Sequence, residues 1–207
     1  MPPFAPPKGM PTIADFQVIH VASALTSSRF TTPTERTLRD AAVLVPLYRD
    51  SEGDLRIVLI RRGEGGLHGG QLAFPGGKRD PGDATMLDTA LREVAEEIGL
   101  ARGVIDVIAA LEPFETRTTG FRIHPFLARV ERPKTWNVAV AEVAEVLEPP
   151  LAAFGPGSHA TEEWQLKGWP RPYTISYYRI GEHQLWGATY RILHALLPRL
   201  VAGEWEL

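Results

Sequence analysis

The chain has 207 residues, of which 44% are hydrophobic and 23% are charged, and 22 lysines and arginines nearly balance 25 aspartates and glutamates. The net charge of -3 argues against a basic surface for binding duplex nucleic acid. The absence of cysteine excludes disulfides, a cysteine nucleophile and thiolate metal sites, and it agrees with a reducing compartment.

The first residues are rich in proline, which predicts a mobile tail over residues 1–12 and a single domain over residues 13–207. A short helix is predicted near Ile13–Ala24. No window is apolar enough for a signal peptide or a transmembrane helix, so we expect a soluble cytoplasmic protein with no membrane partner.

Two strands are predicted next, at Ala41–Tyr48 and Leu55–Ile60, because both runs are short, apolar and rich in β-branched residues. The turn residues 50–54 between them predict a hairpin. A glycine-rich segment follows, with seven glycines among the fifteen residues 63–77.

A helix is predicted over Met86–Ile98, where apolar residues recur every three or four positions and form one stripe. Thr85 is suited to be its N-cap, and Gly99 to be the left-handed residue after its end.

The second half of the chain continues to alternate strands and helices without a change in composition, which predicts one α/β domain. The predicted elements are strands at Val104–Leu111, Phe121–Val130 and Thr174–Ile180, a short acidic segment at 142–148, a loop over 155–172 and a closing helix at Gly187–Val201.

The helix over Met86–Ile98 carries Glu93, Glu96 and Glu97 on one face, away from its apolar stripe. A solvated acidic face is the ordinary explanation for such a cluster. Here, however, the helix follows the strand end and glycine turn of Phe74–Gly77, where a backbone without Cβ atoms can approach a metal or a phosphate. Clustered hard oxygen ligands of this kind suit a divalent cation such as Mg²⁺.

These residues resemble the Nudix box, which spans about residues 77–100 here. The box pattern is a glycine, five residues, a glutamate, seven residues, and then R-E-apolar-x-E-E-x-G-apolar. Gly77 is the first glycine, and Arg92–Leu100, REVAEEIGL, matches the second half in full. The sequence departs from the pattern at Asp83, which replaces the glutamate, and in the eight residues that separate Asp83 from Arg92.

A box that is one residue longer resembles the coenzyme A pyrophosphatase branch of the Nudix hydrolases. The run GQLAFPGG at Gly70–Gly77 is similar to that branch, as are Ala41–Leu47, Glu142–Leu151 and Trp186–Thr189. An arginine that the branch usually carries upstream would fall at Gly66 or Leu67, and it is missing.

The resemblance implies an α/β/α sandwich with a mixed central sheet, and hydrolysis of a nucleoside diphosphate linked to another group. It implies Mg²⁺ or Mn²⁺ as the cofactor, bound by Glu93, Glu96 and Glu97, with the Gly76 carbonyl as a further ligand. Arg92 would orient the glutamates, and Glu93, Arg92 and Glu97 are the expected catalytic set. Asp83 would either take the supporting role of the first glutamate of the box or cap the helix.

The general base stays open between Glu93 and three glutamates outside the box, which are Glu112, Glu115 and Glu142. Basic and polar side chains near the glycine-rich segment are expected to bind an anionic substrate, and they are Arg61, Arg62, His68 and Lys78. Phe114, Phe121 and Trp186 could stack on a nucleobase, although core packing is the more ordinary role for each.

Three functions are compatible with the sequence. The first is cleavage of coenzyme A or acyl-coenzyme A to 3′,5′-ADP and a 4′-phosphopantetheine. The second is cleavage of ADP-ribose, a nucleoside diphosphate sugar or a dinucleotide, which the missing arginine favours slightly. The third is a Nudix-fold domain that binds a ligand without catalysis, although all three glutamates are present. A small nucleotide-type molecule is the expected partner in each case, and a homodimer is a further alternative.

Overall fold

The computed structural model describes residues 38–65, 68–116, 119–155, 157–164 and 172–207. The predicted tail of residues 1–12 and the predicted helix Ile13–Ala24 lie outside the described residues, as do Gly66 and Leu67.

The described chain folds into strands, two α-helices and two short 3₁₀ segments. The strands are β1 (Arg39–Arg49), β2 (Leu55–Ile57), β3 (Leu59–Arg62), β4 (Leu72–Ala73), β5 (Gly76–Lys78), β6 (Ile105–Ala110), β7 (Phe114–Glu115), β8 (Phe121–Val130), β9 (Val143–Leu147), β10 (His159–Trp164), β11 (Tyr173–Ile180) and β12 (His183–Trp186). The α-helices are α1 (Met86–Ile98) and α2 (Gly187–Val201), and the 3₁₀ segments are Arg102–Val104 and Leu151–Phe154.

The central sheet is mixed and has six strands in the order β2-β1-β8-β6, with β5 also paired to β1 and β7 to β8. Strands β1 and β8 run parallel, with Val45 opposite Leu127, and the other pairs of this sheet are antiparallel. Two smaller sheets, β4-β3-β9 and β10-β11-β12, complete the described fold.

Strand β1 separates two hydrophobic cores, because alternate side chains of a strand point to opposite faces of the sheet. Val45 and Leu47 pack in the core that contains Leu193 of α2. Leu44, on the opposite face, packs in the core that contains Val94 of α1. The sheet therefore lies between two helices, and the predicted α/β/α sandwich with a mixed central sheet is confirmed.

Helix α1 begins and ends where the sequence predicts. The Thr85 side chain accepts a hydrogen bond from the Asp88 N–H, and the Asp88 carboxylate accepts one from the Thr85 N–H, which forms a capping box. Gly99 takes the left-handed conformation after the last turn, with φ of 71°. The closing helix also has its predicted bounds.

The predicted hairpin is only partly correct. Leu55–Ile57 pairs antiparallel with β1, as the predicted hairpin requires, with Leu47 opposite Ile57. After Val58, whose N–H donates to the Pro46 carbonyl, the chain leaves this sheet and Leu59–Arg62 pairs with β4 and β9. One continuous apolar run thus serves two sheets, which its composition cannot reveal.

The prediction of a loop over 155–172 is wrong for His159–Trp164. This segment forms a strand that pairs antiparallel with β11, with Glu162 opposite Ile175. Its residues alternate between exposed and half-buried positions, as in an edge strand. The glycines and prolines that flank this short run concealed it.

No helix among the described residues is long and apolar enough to cross a membrane.

Strand β5 requires glycine at its first position. Gly76 is buried and has φ of 151°, a conformation that side chains rarely adopt. A Cβ atom at Gly76 would also overlap the Ala42 carbonyl oxygen on β1. The close approach of β5 to β1 therefore depends on the missing side chain.

We expect Gly76→Ala to lower the free energy of unfolding by about 2–3 kcal/mol, because it combines an unfavourable φ with a backbone overlap. Urea denaturation at neutral pH measures the change. Gly82→Ala is the matched control, since a Cβ atom at Gly82 meets nothing within 4 Å. Equal stability of the two variants would contradict this account of β5.

Candidate active site

Glu97 occupies the buried end of the acidic face of α1. Its side chain is 2% exposed, and its Oε2 accepts a hydrogen bond of 2.8 Å from the Gly76 N–H of β5. Its Oε1 lies 3.8 Å from the guanidinium Nη1 of Arg62. Burial raises the pKa of Glu97 from 4.5 to about 7, the Gly76 N–H and Arg62 oppose this rise, and the charges of Glu93 and Glu142 add to it.

Glu93 lies one helical turn before Glu97 and against the same glycine turn. A Cβ atom at Gly77 would overlap the Glu93 carboxylate, so the glycine leaves the space that this carboxylate fills. The Glu93 side chain is 15% exposed, and burial raises its pKa although Arg92 opposes the rise. Two partly or fully buried carboxylates with raised pKa values therefore face β5.

Arg92 forms hydrogen bonds to the acidic residues of the Nudix box and to the loop before α1. Its Nε and Nη2 donate to the two carboxylate oxygens of Asp83, each at 3.0 Å, and Nη2 also donates to the Lys78 carbonyl at 3.0 Å. Its Nη1 donates to Glu93 at 3.1 Å and to Glu96 at 2.9 Å. A single guanidinium thus fixes the loop before α1 and two glutamates on α1.

Asp83 is the partner that holds Arg92 in place. It is buried, and it also accepts hydrogen bonds from the Thr89 hydroxyl and the Asp80 N–H, both at 2.9 Å. Arg92 and these donors hold the pKa of Asp83 well below its usual range. Of the two roles left open by the sequence, the structure supports the contact with Arg92, because Thr85 is the residue that caps the helix.

Glu96 is the most exposed of the three box glutamates. Its side chain is 57% exposed and its carboxylate is turned toward Arg92. Among the described residues, no three histidine, aspartate or glutamate side chains already converge as a metal-binding group. Glu93 and Glu97 are therefore the two carboxylates that the fold has already placed together.

The residues present nevertheless suit a divalent cation. Within the described residues, the Gly76 N–H is the one hydrogen-bond donor to the Glu97 carboxylate, which is nearly inaccessible to solvent. Two such carboxylates repel each other, and carboxylate oxygens are the ligands that Mg²⁺ and Mn²⁺ prefer. The prediction that Glu93, Glu96, Glu97 and the Gly76 carbonyl bind the metal stays a prediction.

Comparison with known proteins identifies the family. A family model of the NUDIX domain matches residues 38–169. The chain belongs to the Nudix hydrolases. Curated relatives from Salmonella dublin and Salmonella newport, both described as an uncharacterized Nudix hydrolase NudL, are 34% identical over 171 residues, covering 79% of this chain and 84% of the relative. This membership makes the chain a pyrophosphohydrolase.

Solved structures show the same fold. A MutT/nudix family protein from Enterococcus faecalis superimposes with a TM-score of 0.54 at 19% identity, covering 89% of this chain and 68% of the other. The MutT protein from Methanosarcina mazei Go1 gives a TM-score of 0.50 at 19% identity, covering 79% of this chain and 96% of the other. Nudix hydrolases generally use divalent metal ions, which agrees with the carboxylate pair on α1.

The four residues predicted to bind substrate lie at different places around this Nudix site. Arg62 lies beside Glu97, and His68 bonds through Nδ1 to the Gln71 side chain at 3.2 Å. Burial lowers the pKa of His68, and the charge of Arg62 lowers it further. Lys78 is exposed at the end of β5, where its carbonyl binds Arg92.

Arg61 is not brought to the glutamates with Arg62. Its guanidinium lies 3.3 Å from Glu145 and 3.5 Å from Glu64. Arg61 and Arg62 of β3 thus have different partners, and the pairing of β3 with β9 shifts its register between these two residues.

Glu142 is the loop glutamate that the fold brings toward the buried pair. Its charge contributes to the raised pKa values of both Glu93 and Glu97. Glu115 instead pairs with Arg122 at 3.3 Å, and Glu112 lies in a cleft beside α2. Gln71 was not among the site residues predicted from the sequence. Its position in the GQLAFPGG run, which resembles the coenzyme A branch, was the signal that could have identified it.

We expect Glu97 to make the metal-free enzyme less stable as the pH rises. The folded pKa of about 7 exceeds the ordinary value of 4.5, so the stabilising contribution is complete below about pH 4.5 and is lost by about pH 7. Relative to Glu97→Gln, which stays neutral, the wild type should lose up to about 1.4 kcal/mol per pH unit in this window.

Urea denaturation in the presence of a chelator, repeated across pH 4 to 8, measures this difference. Glu52→Gln in the exposed turn before β2 is the control, and it should follow the wild-type profile. Parallel profiles for the wild type and Glu97→Gln would show that Glu97 titrates normally.

Proposed function

We propose that this Nudix hydrolase cleaves the pyrophosphate bond of coenzyme A or an acyl-coenzyme A, to 3′,5′-ADP and a 4′-phosphopantetheine, with Mg²⁺ or Mn²⁺. The observation that carries the hydrolytic part is the buried Glu93 and Glu97 pair beneath Gly76 and Gly77, with Arg62 beside it. The branch is supported by the GQLAFPGG run and by the longer box, in which Asp83 still binds Arg92 through both oxygens.

Glu93 and Glu97 are the proposed first ligands of the cation, with Glu96 and the Gly76 carbonyl as further ligands. When bound, a divalent cation neutralises charge on the pyrophosphate and lowers the pKa of a water molecule. Arg92 keeps Glu93 and Glu96 in position through charge-assisted hydrogen bonds. The residues of the box thus have separate tasks, namely binding the cation and holding its ligands.

Two glutamates are the alternative general bases that would accept the proton of the attacking water. Glu93 has a pKa raised by burial, which brings a carboxylate closer to the operating pH of a general base. Glu142 lies near enough to influence both buried carboxylates. The substrate phosphates are proposed to bind Arg62, with His68 and Lys78 at the border of the same site.

The second candidate is a pyrophosphatase of ADP-ribose, a nucleoside diphosphate sugar or a dinucleotide. It is favoured by the glycine and leucine at positions 66 and 67, where the coenzyme A branch usually has an arginine. The same catalytic arrangement serves either substrate class, because both contain a pyrophosphate. The cysteine-free composition supports a cytoplasmic location for either activity.

We expect turnover of coenzyme A with Mg²⁺ or Mn²⁺ and loss of this turnover with excess chelator. Glu97→Gln should reduce kcat by about 1000-fold, since it removes one charge from the cation site. Chromatographic quantification of the nucleotide products from coenzyme A, ADP-ribose, NADH and a diadenosine polyphosphate measures both results. Preference for ADP-ribose would replace the first candidate by the second, and failure to cleave any of the four would contradict the proposed function.

Arg62 and Arg61 provide a matched pair of variants. Arg62→Gln should lower kcat/KM at least about tenfold, because Arg62 is directed to the site, whereas Arg61→Gln should change it less than about threefold. Steady-state kinetics on the preferred substrate measures both effects. Equal losses in the two variants would exclude Arg62 as the specific phosphate-binding residue.

A further inference from the structure

A groove of about 340 Å³ lies between the glycine-rich segment and the β11–β12 hairpin. Its lining includes Gly70, Gln71, Glu162, Arg179, Gln184 and Trp186. The volume is within the range of about 300–1,000 Å³ that is typical of small-molecule sites.

Gln71 connects the groove that it lines to Arg62 of the proposed phosphate site. The Gln71 carbonyl accepts a hydrogen bond of 3.0 Å from the Arg62 N–H, and the Arg62 guanidinium lies 3.8 Å from Glu97. Gln71 also bonds to His68. A substrate whose phosphates contact Arg62 would therefore extend past one residue, Gln71, to enter the groove.

Glu162 provides a fixed acceptor in this groove. The Tyr177 hydroxyl donates to its Oε1 and the Trp164 indole N–H donates to its Oε2, both at 3.1 Å. Arg179 donates in turn to the Tyr177 oxygen at 3.3 Å. Each carboxylate oxygen has a second lone pair, so Glu162 can still accept hydrogen bonds from a ligand.

Trp186 is the aromatic side chain of the groove. It is half-buried and packs edge-to-face against Trp164, with ring centroids 5.8 Å apart. The two other aromatic residues considered from the sequence already have cationic partners, because Arg191 lies 4.3 Å from the Phe114 ring and Arg39 lies 4.2 Å from the Phe121 ring. Phe114 lines a cleft of about 200 Å³, which is below the range of small-molecule sites, whereas Trp186 lines the groove of about 340 Å³.

The charges of the groove indicate which part of a substrate it accepts. Glu162 and Glu182 would repel a phosphate, and Arg179 offsets only part of their charge. A carboxylate beside an aromatic ring instead matches a group that offers hydroxyl donors and a flat ring. A nucleoside has both features.

We propose that this groove binds the nucleoside of a substrate whose ribose hydroxyls are free, as in the second candidate class, with these hydroxyls donating to Glu162 and the nucleobase packing against Trp186. The 3′-phosphate on the ribose of coenzyme A would be repelled by Glu162 and Glu182, so the groove favours that second class. This inference rests on the proposed function, because it assumes that the pyrophosphate lies at Arg62 and the α1 glutamates. It assigns the specificity for the nucleoside to residues of the small sheet, which lies outside the Nudix box.

Binding without catalysis tests the assignment. AMP, which carries a nucleoside and one phosphate, is titrated into the full chain with a chelator present, and tryptophan fluorescence and calorimetry are recorded. Ribose 5-phosphate and pantetheine are the comparison probes. The variants are Glu162→Gln, Trp186→Phe and, as the control, Glu163→Gln, which removes the same charge from the next residue on the opposite face of β10.

We expect AMP to bind more tightly than ribose 5-phosphate and to quench fluorescence. Trp186→Phe should lose most of the quenching, Glu162→Gln should raise the Kd for AMP at least about fivefold, and Glu163→Gln should change it less than about twofold. Equal Kd values for Glu162→Gln and the wild type would overturn the proposal, as would a Glu162-dependent affinity for pantetheine in place of AMP.

Kinetics on the same variants separates this proposal from the hydrolytic one. If the enzyme cleaves its substrate, Glu162→Gln should raise KM at least about fivefold and leave kcat within about twofold. Turnover with an unchanged KM in Glu162→Gln would overturn the groove assignment and leave the hydrolase proposal intact. AMP binding that depends on Glu162, in a wild type that cleaves no substrate, would contradict the hydrolase proposal alone.

Discussion

The burial of one carboxylate beneath a glycine-containing strand is the constraint on which the site depends. Glu97 accepts a hydrogen bond from the Gly76 N–H, and this contact joins α1 to β5. Strand β5 can approach this closely only because Gly76 has no side chain to overlap Ala42 on β1. The glycines are therefore part of the packing between sheet and helix, as well as part of the proposed cation site.

Arg92 resolves the electrostatic conflict that this packing creates. Three glutamates on one helical face would repel one another, and burial makes the charged forms of two of them less favourable. The guanidinium contacts Glu93 and Glu96, while Asp83 fixes it from the other side. The partners of Glu97 among the described residues are instead the Gly76 N–H and a more distant Arg62. The negative charge of Glu97 is thus the least neutralised of the three, and a bound cation would stabilise it most.

Local patterns predicted the elements that this site requires. Helix α1 has its predicted bounds because its apolar stripe, its Thr85 cap and Gly99 all act within a few residues. Strand β8 and helix α2 were equally clear from composition and periodicity. The prediction failed where neighbouring chains decide the structure. The run after Leu55 divides between two sheets, and His159–Trp164 becomes a strand only because β11 is available to pair with it.

The sequence by itself determined the Nudix box and its three glutamates, because charge, glycine and spacing are properties of one continuous segment, and the resemblance of this box to the family implied the sandwich fold. Only the tertiary structure decided how these residues differ from one another. It buried Glu97, exposed Glu96, gave Arg62 and Arg61 different partners, and brought Glu142 toward the helix from a segment about 50 residues away. Desolvation and side-chain direction arise from contacts between distant segments, and no single stretch of sequence contains them.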